Sequence, residues 1–231
     1  MAKRHLFSLN APSNWPINRK KYKWVARPNP GSHPLKRCLP LSLVVKELLG
    51  YAKTLRETKF ILNQGEILVN KKLMKDYKFP VGVMDAIEIK KTKEAFRLII
   101  NNHNKYQLTK INEDEAKIKP CKIINKTTLK KGLVQLNFYD GRNIIVEKDA
   151  YNVGNTILLN LENNKIVSHL KLEKGSLVYI TDGKYIGNVA KLDSIIKPKD
   201  LQSAKIVFML DNKKFETLKD YAFVINEGTI K

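Results

Sequence analysis

The chain has 231 residues, enough for one large domain or two to three small ones, and its 43% hydrophobic content excludes an intrinsically disordered protein. Lysine and arginine total 43 against 22 acidic residues, which gives a formal net charge of +21 and predicts a polyanionic partner. No apolar run approaches the length of a membrane span, and the charged first residues lack the apolar segment of a secretory signal, so neither class is expected.

Residues 1–40 are predicted to form an extended basic arm. Six prolines argue against a regular helix or ladder, so we expect this segment to be poorly ordered alone and ordered on a partner. Trp15, Tyr22 and Trp24 have two interpretations: they fill grooves of the partner, or they pack on the protein's own core. The segment has no acidic residue, and its cations are candidate RNA contacts: Lys3, Arg4, Arg19, Lys20, Lys21, Lys23, Arg27, Lys36 and Arg37.

Two short helices are predicted next. The first opens at Pro40, follows the apolar spacing of Leu41, Val44, Val45, Leu48 and Leu49, and closes at Gly50. The second runs from Thr54 to Asn63. Its inward stripe is predicted to be Leu55, Thr58 and Leu62. The opposite stripe is predicted to be Lys53, Arg56, Lys59 or Phe60, and Asn63.

Short strands follow the helices. "EILV" at 66–69 and "MDAIEI" at 84–89 are predicted strands, with a turn at Asn70-Lys71-Lys72. From Ala95 onward the helical period disappears, and short alternating runs separated by turn residues predict an all-β region of small hairpins. Glu113-Asp114-Glu115 is expected in a solvated turn between these strands.

Residues 41–91 resemble the α-L RNA-binding module, two short helices and a small sheet. The likeness lies in a helix that ends in Asn-Gln-Gly and leads into "ILVNKK". One departure is Lys71, which stands where the module usually has glycine, so either Lys71 accepts a positive φ or the turn is wider. The resemblance implies RNA contacts at Lys53, Arg56, Lys59, Asn63, Gln64, Lys71 and Lys72.

"EKGSLVYITDGKYIGNVAKL" resembles the KOW motif, the strand–loop–strand core of a small SH3-like barrel. Leu177, Tyr179 and Val189 are expected to alternate between the two faces of the strands, and Asp182-Gly183 to make the turn. Gly187 is expected where backbones approach closely. An ordinary hairpin is the alternative interpretation.

The order of these segments resembles the archaeal and eukaryotic type of small-subunit ribosomal protein four, the S-four-e family. Further likeness lies in "RHLFSLNAPSNWPINRK", "RPNPGSHPLKRCLPLSLVVKELLGYAKT" and "FETLKDYAFVINEG". Because the chain stops soon after "FVINEG", without the basic tail of eukaryotic members, the archaeal form is expected. The expected fold is α+β and multi-domain: extended basic arm (1–40), α-L helix-pair and hairpin module (41–91), central all-β domain (92–170) and KOW SH3-like β-barrel (171–231).

The resemblance implies a structural constituent of the small ribosomal subunit, located in the cytoplasm, that binds ribosomal RNA early in assembly and lies beside neighbouring small-subunit proteins. Neither a membrane partner nor a homo-oligomer is expected. The alternative is an RNA-modifying protein or a translation factor that uses the α-L and KOW modules outside the mature ribosome. An α-L-containing enzyme needs a separate catalytic domain of roughly 150 residues, and no helical, parallel-sheet domain is predicted after Lys91.

No enzyme activity, metal or cofactor is expected. The four histidines are scattered without paired metal spacing, and Cys38 and Cys121 lie far apart, neither with a basic partner in sequence that would argue for a nucleophile. Two such cysteines predict neither a disulfide framework nor a zinc site, and they suit a reducing compartment.

Overall fold

The computed structural model describes residues 5–147, 149–196, 203–210, 213–226 and 228. Two compact units are present. The N-terminal unit contains the described residues through Ile100 together with Asn104–Lys119, and the C-terminal unit contains Asn101–His103 and the described residues from Pro120 onward. The chain is mostly β with few helices. None of the helices in the described part has the length and apolar character needed to span a membrane.

The proline-rich segment folds onto the N-terminal unit, so the expectation of an arm without core contacts is corrected. Trp15 is fully buried, and its indole nitrogen donates a hydrogen bond of 2.8 Å to the carbonyl of Cys38. The amide of Tyr106 donates to the carbonyl of Asn14. Three short strands also form: β1 (Leu6–Phe7), β2 (Trp24–Val25) and β3 (Cys38–Pro40).

These short ladders tolerate the prolines because each needs few amide donors. Strand β1 pairs antiparallel with β2, and β3 pairs with a strand further along the chain, with Pro40 opposite Pro80. The two tryptophans have different environments: Trp15 lies in the core, whereas Trp24 is 50% exposed. Packing on the protein's own core is therefore confirmed for Trp15, and contact of Trp24 with a partner stays a prediction.

The predicted helix pair is confirmed, with one correction. The first helix has an α-helical turn (α1, Leu41–Leu43) that continues as a π-helix (Val44–Leu48) and ends before Gly50 at φ +71°. In the second (α2, Leu55–Asn63), Thr58 and Leu62 are fully buried. Leu55, predicted to face inward, is 42% exposed because it borders an open cleft.

One five-stranded sheet follows the helices, in the spatial order β5-β4-β7-β8-β9. The strands in this part of the chain are β4 (Ile67–Val69), β5 (Lys72–Leu73), β6 (Pro80–Gly82), β7 (Ala86–Ile89), β8 (Glu94–Ile100) and β9 (Tyr106–Ile111). The strand predictions near β4 and β7 are confirmed. The α-L module was expected to end at residue 91, but β8 and β9, which follow this residue, belong to the same sheet as β4, β5 and β7.

The hairpin turn between β4 and β5 has two residues, Asn70 and Lys71, at φ +51° and +63°. Lys71 therefore accepts the left-handed conformation in which glycine was expected. Its ammonium group lies 2.6 Å from the carboxylate of Glu88 on β7, so the side chain is anchored to the neighbouring strand.

A short helix, α3 (Glu113–Lys117), stands where a turn was predicted, and Glu113 and Asp114 are exposed to solvent as expected. Ala116 is fully buried and packs with Ala86 and Ala95. The guanidinium group of Arg97 donates hydrogen bonds to the carbonyls of Glu115 and Ile118, at 2.9 and 3.0 Å. These hydrogen bonds satisfy backbone carbonyls at the end of the helix. Because they come from a distant strand, the periodicity of the local sequence does not predict them.

Asp85 is the centre of a buried cluster in the same unit. One carboxylate oxygen accepts from Lys119 at 2.6 Å and Asn70 at 2.9 Å, and the other contacts His33 at 3.1 Å and the amide of Gly82 at 2.8 Å. Burial by itself would raise the pKa of Asp85, but Lys119 and then His33 outweigh burial and hold this pKa well below its usual range. The cluster joins the N-terminal segment, the hairpin turn and the sheet.

The C-terminal unit contains two antiparallel five-stranded sheets, ordered β12-β11-β10-β13-β14 and β18-β17-β16-β15-β19. The strands are β10 (Ile118–Thr128), which begins in the N-terminal unit, β11 (Val134–Phe138), β12 (Asn143–Val146), β13 (Thr156–Asn160), β14 (Ile166–Leu170), β15 (Leu177–Ile180), β16 (Val189–Ile196), β17 (Lys205–Leu210), β18 (Lys213–Leu218) and β19 (Ala222–Val224). Each sheet has its own apolar cluster, around Ile123 and around Val178.

The KOW-like segment forms the hairpin β15–β16. Gly187, at φ +82°, lies so close to the backbone of Asn101 that an added Cβ would be 2.4 Å from its carbonyl carbon, as the predicted close approach requires. Simple alternation is wrong for β15, because Val178, Tyr179 and Ile180 are all fully buried. Val178 and Ile180 belong to two apolar clusters of this sheet, and Tyr179, which alternation places on the opposite face, is buried as well.

Candidate RNA-binding surface

A cleft of about 1040 Å³ lies between the N-terminal segment and the helix pair. The lining residues Lys21 and Lys23 come from the N-terminal segment, Lys46 from the first helix, and Lys53 from the residue before the cap of α2. One acidic side chain, Glu47, lies among the lining residues that the structure describes. Basic residues far apart in sequence are thus brought to one positively charged concave surface.

Helix α2 presents its predicted polar stripe to solvent. Lys53, Arg56, Lys59, Asn63 and Gln64 are all exposed. The ammonium group of Lys59 lies 4.6 Å from the ring centroid of Tyr77, which fixes this cation over an aromatic face without burying it. Thr58 and Leu62 pack inward on the opposite side, so the cations are available to a ligand.

The beginning of α2 fixes the direction of this stripe. The amide of Glu57 donates to the Thr54 hydroxyl at 3.2 Å, and the Glu57 carboxylate accepts from the amides of Lys53 and Thr54. Hydrogen bonds from the Lys53 amide and the Thr54 side chain lower the pKa of Glu57. The capping box therefore holds the residues on either side of the helix start in one geometry.

Several predicted contact residues already have partners within the protein. The Arg19 guanidinium donates to the carbonyls of Ser8, Leu9, Ala11 and Pro12, with the shortest contact 2.6 Å to Pro12. This side chain therefore organises the turn around residues 8–12, a role that the count of charges did not indicate. Lys71 forms its ion pair with Glu88, as described above.

The remaining predicted contacts lie at other places. Lys20, Lys36 and Lys72 are exposed, and Arg27 and Arg37 are half-buried. Lys36, Arg37 and Lys72 are not among the residues that line the cleft. Lys3 and Arg4 lie outside the described residues.

Sequence reasoning did not select Lys46 as a contact. Lys46 lies on the polar side of the first helix, between the apolar residues Val45 and Leu48 that predict this helix. Its ammonium group is 5.0 Å from the ring centroid of Tyr22. The sequence could have identified Lys46 as a candidate contact, because it is a lysine outside the apolar spacing of a helix that directly follows the basic segment. Among the described residues, no group of three or more histidine, cysteine, aspartate or glutamate side chains is placed to hold a metal ion.

Comparison with known proteins identifies the family. The profile described as "Ribosomal family S4e" matches residues 92–166, and that of the "RS4NT (NUC023) domain" matches residues 2–36. "Small ribosomal subunit protein eS4" of Staphylothermus marinus is 39% identical over 97% of this chain and 93% of its own length. The protein of the same name from Aeropyrum pernix is 40% identical over 96% of this chain and 91% of its own length.

A solved structure gives the same result. The crystal structure of the 30S ribosomal protein S4e from Thermoplasma acidophilum superimposes with a TM-score of 0.72 at 26% identity, over 84% of this chain and 97% of that one. The relatives match nearly the full length of this chain, and the resemblance noted in the sequence is confirmed. The chain therefore belongs to the ribosomal S4e family.

Proposed function

We propose that the protein is a structural constituent of the small ribosomal subunit, in the cytoplasm, that binds and stabilises small-subunit ribosomal RNA and supports subunit assembly and translation. The observation that carries this proposal is near-full-length similarity to proteins named small ribosomal subunit protein eS4. The cationic cleft and the exposed stripe of α2 supply the chemistry, since phosphates are bound by clustered lysine and arginine.

The proposed RNA contacts are the basic and polar side chains chosen from the sequence. They are Lys3, Arg4, Arg19, Lys20, Lys21, Lys23, Arg27, Lys36, Arg37, Lys53, Arg56, Lys59, Asn63, Gln64, Lys71 and Lys72. Support is strongest for Lys21, Lys23 and Lys53, which line one cleft, and for Arg56 and Lys59 on the exposed helix face. Support is weaker for Arg19 and Lys71, whose charged groups already have partners within the protein.

We propose four functional segments: the basic arm (1–40), the α-L module (41–91), the central β region (92–170) and the KOW barrel (171–231). The helix pair with its two-residue hairpin supports the second segment, and the β15–β16 hairpin with Gly187 supports the fourth. The units of RNA contact would then differ from the two compact units, because β8 and β9 belong to the same sheet as the hairpin.

Neighbouring small-subunit proteins are the other proposed partners, and neither a membrane nor a second copy of the chain is part of this function. We also propose that the protein is not an enzyme. Membership of a ribosomal protein family supports this, and the buried Asp85 cluster is explained by its structural hydrogen bonds. An RNA-modifying or free translation-factor role is not favoured by the similarity to eS4 proteins.

Sedimentation tests the proposed function. The protein should co-migrate with the small ribosomal subunit in stoichiometric amount and stay bound through a high-salt wash, as expected of a constituent of the subunit. Release of the protein into the soluble fraction at low salt, with subunits of normal composition, would contradict the proposal.

A further inference from the structure

An exposed aromatic pair lies on the outward face of the β1–β2 ladder. Phe7 is opposite Trp24, and Leu6 is opposite Val25. Side chains alternate between the faces of a strand, and here Leu6 is buried whereas Phe7 and Trp24 are 43% and 50% exposed. The Phe7 and Trp24 rings stack with their centroids 4.3 Å apart. The stack leaves about half of the Trp24 side chain open to solvent.

Tyr22 adds a second exposed ring, and both Tyr22 and Trp24 line the cationic cleft. The ammonium groups of Lys21 and Lys46 lie 5.4 and 5.0 Å from the Tyr22 ring centroid. That of Lys23 lies 5.8 Å from the Trp24 centroid. Aromatic faces are thus interleaved with cations on one concave surface.

This combination selects a ligand that is flat, aromatic and linked to anions. An unpaired nucleotide has both properties: its base stacks on aromatic side chains, and its phosphates pair with lysine. A cleft of about 1040 Å³ exceeds the upper end of the roughly 300–1,000 Å³ range of pockets that hold drug-sized ligands, so it has room for more than one nucleotide. A double helix would be less suitable, because stacking of successive base pairs hides the faces of its bases.

We propose that the cleft takes unpaired nucleotides of small-subunit ribosomal RNA, with bases stacked on Trp24 and Tyr22 and the adjoining phosphates held by Lys21, Lys23 and Lys46. This inference rests on the proposed function and adds to it a stacking site within the N-terminal segment. It requires single-stranded RNA at this contact, whereas the α2 stripe needs only phosphates.

Substitutions that remove the rings test the site. Trp24→Leu and Tyr22→Leu keep apolar bulk but remove the π faces, and Trp24→Phe and Tyr22→Phe are the matched controls. Each leucine variant should bind a small-subunit RNA transcript about 5- to 140-fold more weakly, the fold-change equivalent to about 1–3 kcal/mol per stacked base. The slope of log affinity against log salt should not change, because no cation is lost. The phenylalanine variants should bind close to the parent.

Tryptophan fluorescence provides a readout that does not depend on the leucine variants folding. The chain has two tryptophans, and Trp15 is fully buried whereas Trp24 is exposed. RNA should quench the parent by stacking on Trp24, and it should leave Trp24→Phe, which retains Trp15 alone, nearly unquenched. Equal quenching of both proteins would overturn the proposal.

The failure of this site is distinguishable from failure of the proposed function. If the parent does not bind small-subunit RNA, the proposed function fails. If the parent binds RNA and the leucine variants bind equally well, the function stands and the stacking site is wrong. Normal RNA affinity combined with loss of subunit incorporation would assign the cleft to a neighbouring protein, and would also overturn the stacking site.

Discussion

At the scale of single residues, one buried carboxylate joins distant parts of the N-terminal unit. Asp85 contacts Lys119, His33, Asn70 and the amide of Gly82. Its neighbours are separated by up to 86 positions, from His33 to Lys119, so the cluster closes large loops of chain. A buried ion pair contributes little net stability when intact, but loss of one partner leaves an uncompensated charge.

Asp85→Asn should therefore reduce the free energy of unfolding of the N-terminal unit by about 3–5 kcal/mol at neutral pH, the usual cost of removing one partner of a buried pair. Urea unfolding measures this change. The control is Asp114→Asn in the same unit, which removes a 91% exposed carboxylate 2.7 Å from the ammonium group of Lys117, and it should have little effect because water screens that pair. Equal effects of the two substitutions would contradict the role of the cluster.

The same residue predicts a pH dependence. The pKa of Asp85 is lowered in the folded state because Lys119 and His33 outweigh burial, so its stabilising contribution is present above the unfolded aspartate pKa of about 3.9. That contribution is lost as the pH falls below this value, since the unfolded chain then binds a proton that the folded one does not. The difference in stability between the parent and Asp85→Asn should therefore shrink between pH 5 and pH 3.

Gly187 and Gly175 form a matched pair in the C-terminal unit. Both have positive φ, +82° and +88°, but a Cβ at Gly187 would meet the backbone of Asn101 at 2.4 Å, whereas a Cβ at Gly175 would meet nothing within 4 Å. Gly175→Ala should cost about 1–2 kcal/mol from the left-handed conformation, and Gly187→Ala should cost clearly more. Thermal unfolding compares them, and equal costs would mean that the Asn101 backbone shifts freely.

At the scale of secondary-structure elements, the exposed face of α2 predicts a measurable electrostatic effect. Arg56→Ala with Lys59→Ala should lower the slope of log affinity against log salt by roughly 1.4–1.8 units, because each phosphate contact releases about 0.7–0.9 of a counterion. Binding of cognate and unrelated RNA should weaken alike, since phosphates carry no sequence information. Salt titration with a small-subunit RNA transcript makes the measurement.

The charge-preserving variant Arg56→Lys with Lys59→Arg is the control for this experiment, and its slope should equal that of the parent. Thermal unfolding should change little in either double variant, because both positions are exposed. An unchanged slope in the alanine variant, at unchanged stability, would show that the stripe is a solvated face and that the RNA contact lies elsewhere.

The elements that the sequence predicted well are those specified by local signals. The α2 helix follows from apolar spacing between Thr54 and Asn63, and the β4–β5 hairpin from turn residues between two strands. Helix α3 was missed because its stability depends on Arg97 and on packing against Ala86 and Ala95. The burial of Trp15 depends on a hydrogen bond to Cys38, 23 positions away, which no local pattern reports.

The sequence predicted some residues of the candidate RNA-binding surface but not how the basic residues of the N-terminal segment are used. Charge and helical spacing were enough to select Arg56 and Lys59 as exposed cations. They did not distinguish Lys21, which lines the cleft, from Arg19, whose guanidinium holds four backbone carbonyls. That distinction depends on how the proline-rich segment folds back, which is a tertiary property.

At the scale of the whole molecule, the two compact units have separate apolar cores and should unfold in two transitions. Trp15 and Trp24 both belong to the N-terminal unit, so tryptophan fluorescence follows that unit alone, and far-ultraviolet circular dichroism follows both. Asp85→Asn should shift the transition seen by fluorescence, and Gly187→Ala should shift the other. A single transition displaced by either substitution would contradict two units of folding.

Each unit contains one buried cysteine, so the rate of cysteine alkylation can report on the opening of each unit separately. Cys38 on β3 and Cys121 on β10 are both buried thiols outside any disulfide, one in each unit. Burial, with a further contribution from Asp85, raises the pKa of Cys38 to about 12, and a thiol reacts with alkylating reagents only as the thiolate. Alkylation of either sulfur must therefore wait for its own unit to open, so the two modification rates, separated by peptide mapping, record how often each half of the native protein exposes its interior.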